Sequence, residues 1–188
     1  MNKILVFASL FILWTTSQSQ QESYTVANVS FDDFKTLVQE VESVREKKLI
    51  SFDEFLDLSK KRNTVILDAR SREKYNNKHI KGAVNLPFTE FTQENLAEVI
   101  PNKRTRVLIY CNNNFLGDQI NFASKITKPS KAKASEEKEK EISLALNVPT
   151  YITLYGYGYR NIFELHELVV MNDLRLELAG EEVVSLED

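Results

Sequence analysis

The sequence has one cysteine, Cys111, and two histidines, His79 and His166. A single cysteine excludes an internal disulfide. The two histidines lie far apart in sequence and Cys111 has no second Cys or His beside it. No metal-ligand spacing results, and neither a metal nor a cofactor is expected. No glycine-rich nucleotide loop is present, no tract rich in Gly or Pro, and no repeat at a period of roughly 20–50 residues. A basic excess is also missing. Against 24 Lys and Arg stand 27 Asp and Glu, for a net charge of −3, which argues against a nucleic-acid binder. The remainder is ordinary for a globular chain, with 43% hydrophobic and 27% charged residues over 188 positions, enough for one domain with a core.

Long apolar runs are scarce too. The one at the N-terminus extends from Ile4 to Trp14 behind Met1-Asn2-Lys3 and is followed by Thr15-Thr16-Ser17-Gln18-Ser19. That is the pattern of a secretory signal peptide. The run is too short for a membrane-spanning helix, which needs about 20 residues. A buried N-terminal helix is the alternative. No cysteine follows the run, which closes the route to a lipid anchor. Residues 1–20 are therefore expected to be a signal peptide cleaved near Ser19 or Gln20. The mature protein is expected to be exported, periplasmic or secreted, without a stable membrane span. In an oxidising compartment a leftover cysteine is either a reactive thiol or a buried apolar filler.

Residues 21–46 read as an N-terminal extension, with a helical period at Phe31, Phe34, Leu37, Val38, Val41 and Val44. Leu49-Ile50-Ser51 suits a short strand, and Ser51 with Glu54 suits a capping box opening the next helix. Thr64–Asp68 and Arg106–Tyr110 are β-branched or apolar runs of the kind buried on both faces of a parallel sheet. Ser71–Asn77 suits a short helix, Ala83–Leu86 a strand closed by Pro87, and Phe88–Ile100 an amphipathic helix. A helix is expected to begin near Asp118. Residues 128–141 form a mixed-charge insert of low apolar content. Tyr151–Tyr155 is expected to be the last core strand, with a turn at Gly156–Tyr159 and a helix through Leu168. Residues 171–188 make an acidic tail. The alternation implies an α/β fold, an open and mostly parallel sheet of about five strands with helices on both faces. Ligands in such sheets bind beyond the carboxyl ends of strands, where Cys111 falls. That position favours a working thiol over a filler.

The segments Ile66-Leu67-Asp68-Ala69-Arg70, Glu73, Tyr75 and His79-Ile80-Lys81-Gly82-Ala83-Val84-Asn85-Leu86-Pro87 resemble the first signature of rhodanese domains. Lys78 replaces that signature's first glycine. Val107–Cys111 is similar to the strand that delivers the family's catalytic cysteine, and Tyr151–Leu165 to the closing part of the domain. The resemblance covers residues 47–170. It implies a rhodanese-like fold, with Cys111 matching the cysteine that carries a persulfide in sulfurtransferases. Asp68 and Arg70 match mainly structural positions, and His79 a loop anchor.

A sulfur carrier needs a stabilised thiolate and a cradle for anions, and a loop of backbone N–H groups can supply both. Asn112, Asn113, Asn114, Phe115, Leu116 and Gly117 are the expected cradle. That loop carries no positive charge, unlike those of active family members. Gly117 stands where the phosphatases of related fold need the Arg of Cys-x5-Arg. The sequence therefore leaves more than one function open. One is a thiosulfate-type sulfurtransferase with small sulfur donors and thiol acceptors. Another is a non-catalytic rhodanese-like module that binds a ligand or a protein partner. A third is a thiol redox sensor.

Overall fold

The structure, a computed structural model, describes residues 24–127 and 141–183. The expected signal peptide at 1–20, almost all of the charged insert 128–141 and the end of the acidic tail lie outside the described residues. Residues 24–30 form no regular element. From Phe31 the elements are α1 (Phe31–Glu46), β1 (Leu49–Ile50), α2 (Phe52–Ser59), β2 (Thr64–Asp68), α3 (Arg72–Asn77), β3 (His79–Ile80) and β4 (Ala83–Asn85). After them come α4 (Gln93–Val99), β5 (Arg106–Tyr110), β6 (Phe115–Leu116), α5 (Asn147–Gly156), β7 (Ile162–Leu165), β8 (Val169–Val170) and β9 (Leu178–Ala179).

Five strands form one sheet in the order β1-β7-β5-β2-β4, every pair parallel. Strand residues alternate between its two faces. Ile66, Leu108, Tyr110 and Leu165 join Phe52 and Phe55 of α2 on one side. Leu67, Val107, Ile109 and Ile162 join Val41, Leu96, Tyr151 and Leu154 of α1, α4 and α5 on the other. Each fully buried Leu or Ile here stabilises the fold by about 1.5–3 kcal/mol. The central strands are apolar on both faces because helices cover both.

Local signals fix several helix starts. Glu54 N–H donates to Ser51 Oγ at 3.2 Å and Ser51 N–H to Glu54 Oε2 at 2.9 Å, which completes the capping box of α2. Ser71 and Thr92 cap α3 and α4 in the same sense. The apolar period of α1 is only partly used. Val41 is buried and Leu37 packs against the core, while Phe31, Phe34 and Val38 stay exposed. On the core side of β7, the buried Glu164 takes both its hydrogen bonds from Arg45 of α1, each at 2.6 Å.

Three expectations are corrected. Tyr151–Tyr155 is not a strand but the body of α5, and the last core strand is Ile162–Leu165, where a helix was expected. A short apolar run without clean alternation fits a buried helix as well as a buried strand. The nearby Pro149 marks the difference, because it lies in the first helical turn, where a missing N–H costs nothing. The expected turn at Gly156–Tyr159 is the end of this helix. Tyr159 N–H donates to Leu154 O and Gly158 N–H to Tyr155 O, with Gly158 at φ +90°. That paired closure is a Schellman motif, and the glycine takes its left-handed position. Finally, no helix starts at Asp118. A single turn, Phe122 N–H to Asp118 O at 2.9 Å, occupies that place. Among the described residues no helix is long and apolar enough to cross a membrane.

Candidate functional site

β4, β2 and β5 are neighbours, in a register that sets Asp68 beside Asn85 and Tyr110 at their carboxyl ends. Cys111 follows directly. It is 3% exposed and lines a cleft of about 510 Å³ with Arg70, Lys74, Asn112, Lys125 and Leu146. A larger cleft of about 760 Å³ lies beside α2 and residues 174–177. It holds neither cysteine nor histidine, and two of its cations are paired, Lys81 with Glu177 and Arg175 with Asp53.

The thiol meets the start of α5. Leu146, the residue before that helix, donates its N–H to Cys111 Sγ at 3.3 Å. Burial pushes the Cys111 thiol up, and the N–H groups of Leu146 and Asn112 pull it back in part. A helix start favours negative charge, so α5, whose start meets the sulfur, is oriented to help a thiolate.

The residues of the expected cradle go to different places. Asn112 lines the cleft. Asn113 is half-buried and ties down the stem of the insert. Its Nδ2 donates to Ser143 Oγ at 2.9 Å and its Oδ1 accepts from Lys125 N–H at 2.7 Å. That stem is antiparallel, with Ile126 opposite Ser143 and Thr127 N–H donating to Ile142 O. Asn114 is buried with every hydrogen-bonding position of its amide used. Oδ1 accepts from Cys111 N–H (2.9 Å) and Asn147 Nδ2 (3.0 Å). Its Nδ2 donates to Leu165 O (2.8 Å) and Glu167 O (3.2 Å). Asn114 thus joins the cysteine turn to α5 and to the end of β7. Phe115 enters the core against Tyr110 and Phe122. Leu116 is exposed in β6, which pairs with β8, and Gly117 at φ +109° lies against Met171. Phe115, Leu116 and Gly117 do not line the cleft.

Asp68 and Arg70 form a buried pair. Arg70 Nη2 donates to Asp68 Oδ2 at 2.6 Å and to Lys78 O at 2.7 Å, and its Nη1 to Asn121 O at 3.0 Å. Tyr110 OH donates to the same Asp68 Oδ2 at 2.5 Å and accepts Ile80 N–H at 3.2 Å. His79 stacks on Tyr75 with centroids 3.8 Å apart, and its Nδ1 lies 2.6 Å from Tyr75 O. Neither Asp68 nor His79 lines the cleft. Lys78, at the place of the signature glycine, has an extended backbone (φ −162°), so no left-handed residue is needed there. Its ammonium pairs with Asp118 Oδ2 at 2.7 Å.

Lys74, Lys125 and Leu146 escaped sequence reasoning. The Cys111 loop is neutral, and α3 and the insert stem bring the two lysines to the cleft from elsewhere. A backbone N–H leaves no mark in a side-chain pattern.

Residues 51–165 match the rhodanese-like domain. Thiosulfate sulfurtransferase PspE of Escherichia coli (strain K12) is 39% identical over 46 residues, which are 24% of this chain and 43% of that protein. The chain thus matches less than half the length of that relative. Among solved structures, an E. coli rhodanese with anions is 19% identical, covering 62% of this chain and 98% of its own, at a TM-score of 0.36. A rhodanese-like domain from Anabaena sp. is 20% identical, covering 54% of this chain and 74% of its own, at a TM-score of 0.34. The domain match covers more than half of the sequence: the chain belongs to the rhodanese-like domain family.

Proposed function

We propose that this protein is an exported sulfurtransferase that carries sulfur as a persulfide on Cys111. The observation that carries this reading is the Leu146 N–H held on Cys111 Sγ, at the carboxyl end of the central strand and at the start of α5. In the first half-reaction the Cys111 thiolate attacks the outer sulfur of thiosulfate. A bond forms between Sγ and that sulfur, the sulfur–sulfur bond of thiosulfate breaks, and sulfite leaves with its electron pair. The N–H groups of Leu146 and Asn112 hold the negative charge before and after transfer. Lys74 and Lys125 give the cleft the positive field that the loop lacks and draw a dianion towards it. In the second half-reaction an acceptor thiol removes the outer sulfur.

The test is sulfite release from thiosulfate in the presence of a thiol acceptor. Turnover abolished by Cys111→Ser is the expected result, and full turnover in that variant contradicts the proposal. Export is tested by the N-terminal mass of the protein recovered outside the cytoplasm, expected to begin near Gln20 or Gln21.

A second reading, a rhodanese-like binding module, is favoured by the burial that raises the Cys111 thiol. It predicts ligand or partner capture at the cleft, lost when Asn112, which lines it, is made bulky, and no turnover.

A further inference from the structure

We propose that the edge of the sheet opposite Cys111 docks on an anionic phospholipid surface. All strands of the main sheet are parallel, so their amino ends share one edge. Helices α1, α2, α4 and α5 each end at that edge, just before β1, β2, β5 and β7. Lys47 lies before β1, Lys61 and Arg62 before β2, Lys103 and Arg104 before β5, and Arg160 before β7, and all are exposed. Hydrogen bonds hold these turns side by side. Arg106 N–H donates to Asn63 O at 2.9 Å, Val107 N–H to Asn161 O at 2.9 Å and Glu164 N–H to Lys48 O at 3.0 Å. Asn161 Nδ2 donates to Arg104 O at 3.4 Å.

The positive charge here is in excess. None of these cations forms an ion pair among the described residues. Lys48 and Arg106 stand half-buried between them, and Lys60 precedes Lys61 within the field of Glu177. Over the last turn of each helix and the link to the next strand, the carboxylates besides these are Glu46, Asp57 and Glu98. Helix ends take up part of the charge. Lys103 Nζ donates to Tyr157 O at 2.9 Å and Arg160 Nη1 to Tyr155 O at 2.5 Å, both at the end of α5. Each helix end is worth only about half a negative charge, so these ends do not balance the excess. The whole chain is net −3, so its cations are gathered at this edge against the overall sign.

Such an edge suits a plane of headgroups better than a protein partner. The core of a protein interface is built on apolar and aromatic anchors. The exposed large apolar side chains of the described residues all lie outside these turns. Long Lys and Arg side chains attract anionic headgroups without insertion, each multiplying affinity by about fivefold. Strand β5 crosses the sheet from Arg106 to Tyr110, a distance of roughly 15 Å. Cys111 therefore lies on the far side, and its cleft stays open while the basic edge is docked.

The experiment is co-sedimentation of the protein, purified from the fraction in which it accumulates, with two kinds of vesicle. One is an equal mixture of phosphatidylglycerol and phosphatidylcholine, the other phosphatidylcholine alone. At about 50 mM salt, binding to the anionic vesicles at least tenfold tighter than to the neutral ones is expected, and its loss at about 500 mM. Lys61→Glu with Arg104→Glu should weaken binding to the anionic vesicles at least tenfold. Lys35→Glu with Arg72→Glu makes the same change in net charge on exposed residues away from this edge, and should weaken it by no more than about twofold. Equal binding to both vesicles, binding to neither, or equal weakening by the two variants overturns the proposal. Tighter binding to heparin than to the anionic vesicles also overturns it, because the edge would then be a site for a soluble polyanion. The lipid and salt comparisons hold without either variant.

Discussion

The Leu146 amide donates to the Cys111 sulfur at 3.3 Å although the two residues stand 35 positions apart in sequence. The helix that meets the thiol is thus supplied from beyond the charged insert, not by the residues that follow the cysteine. Leu146 has φ −73°, already suited to proline, so Leu146→Pro deletes this one donor with little backbone change. A hydrogen bond to a charged group is worth about 1.5–3 kcal/mol. The variant should lose about tenfold or more in the rate of Cys111 alkylation by iodoacetamide at neutral pH. An unchanged rate would remove Leu146 from thiolate stabilisation.

Cys111 also sets a pH dependence. Burial raises the thiol, so the fold favours its protonated form. That contribution to stability is complete below the ordinary cysteine range and is lost as pH rises through the folded value. Alkylation of the native protein should therefore reach half its maximal rate at a pH above the midpoint of a free cysteine, which is about 8.5. A rate–pH profile with a midpoint at or below that of free cysteine contradicts the assignment.

Asn114 holds the cysteine turn, α5 and the end of β7 together with four hydrogen bonds. Asn114→Ala strands several buried groups, and leaving even one buried group unpaired costs about 1–3 kcal/mol. A loss of at least about 2 kcal/mol is expected, read as a fall in Tm of roughly 4–8 °C for a chain of this size. Asn113→Ala, at a half-buried position whose two side-chain hydrogen bonds are open to solvent, should cost far less.

Asp68 accepts from both Arg70 and Tyr110 inside the protein. Removing one partner of a buried ion pair costs about 3–5 kcal/mol, so Arg70→Ala should be strongly destabilising in urea denaturation. Tyr110→Phe leaves Ile80 N–H without its acceptor and should cost about 1–3 kcal/mol. Near-native stability of Arg70→Ala would contradict the structural role given to this pair.

Much of the frame was legible in the sequence. Thr64–Asp68 and Arg106–Tyr110 have the composition of strands buried on both faces, and Ser51 with Glu54 announces a helix start. The position of Cys111 at a strand's carboxyl end follows from the same pattern. What was not legible depends on three-dimensional return. Tyr151–Tyr155 has strand-like residues, but it is buried on nearly every side as a helix, and Pro149 was the available clue. Lys74 and Lys125 reach the cleft from α3 and the insert stem, so a search of the residues after Cys111 found only neutral side chains. Phe115 to Gly117 left the site because Phe115 is drawn into the core and Leu116 into a strand pair.

The central claim is a sulfur carried on Cys111. Intact mass of the purified protein, taken after thiosulfate and again after a reductant, tests it most directly. The account predicts a gain of one sulfur atom that the reductant removes and that Cys111→Ser never shows. No gain, with Cys111 still titrating as a free thiol, would contradict it.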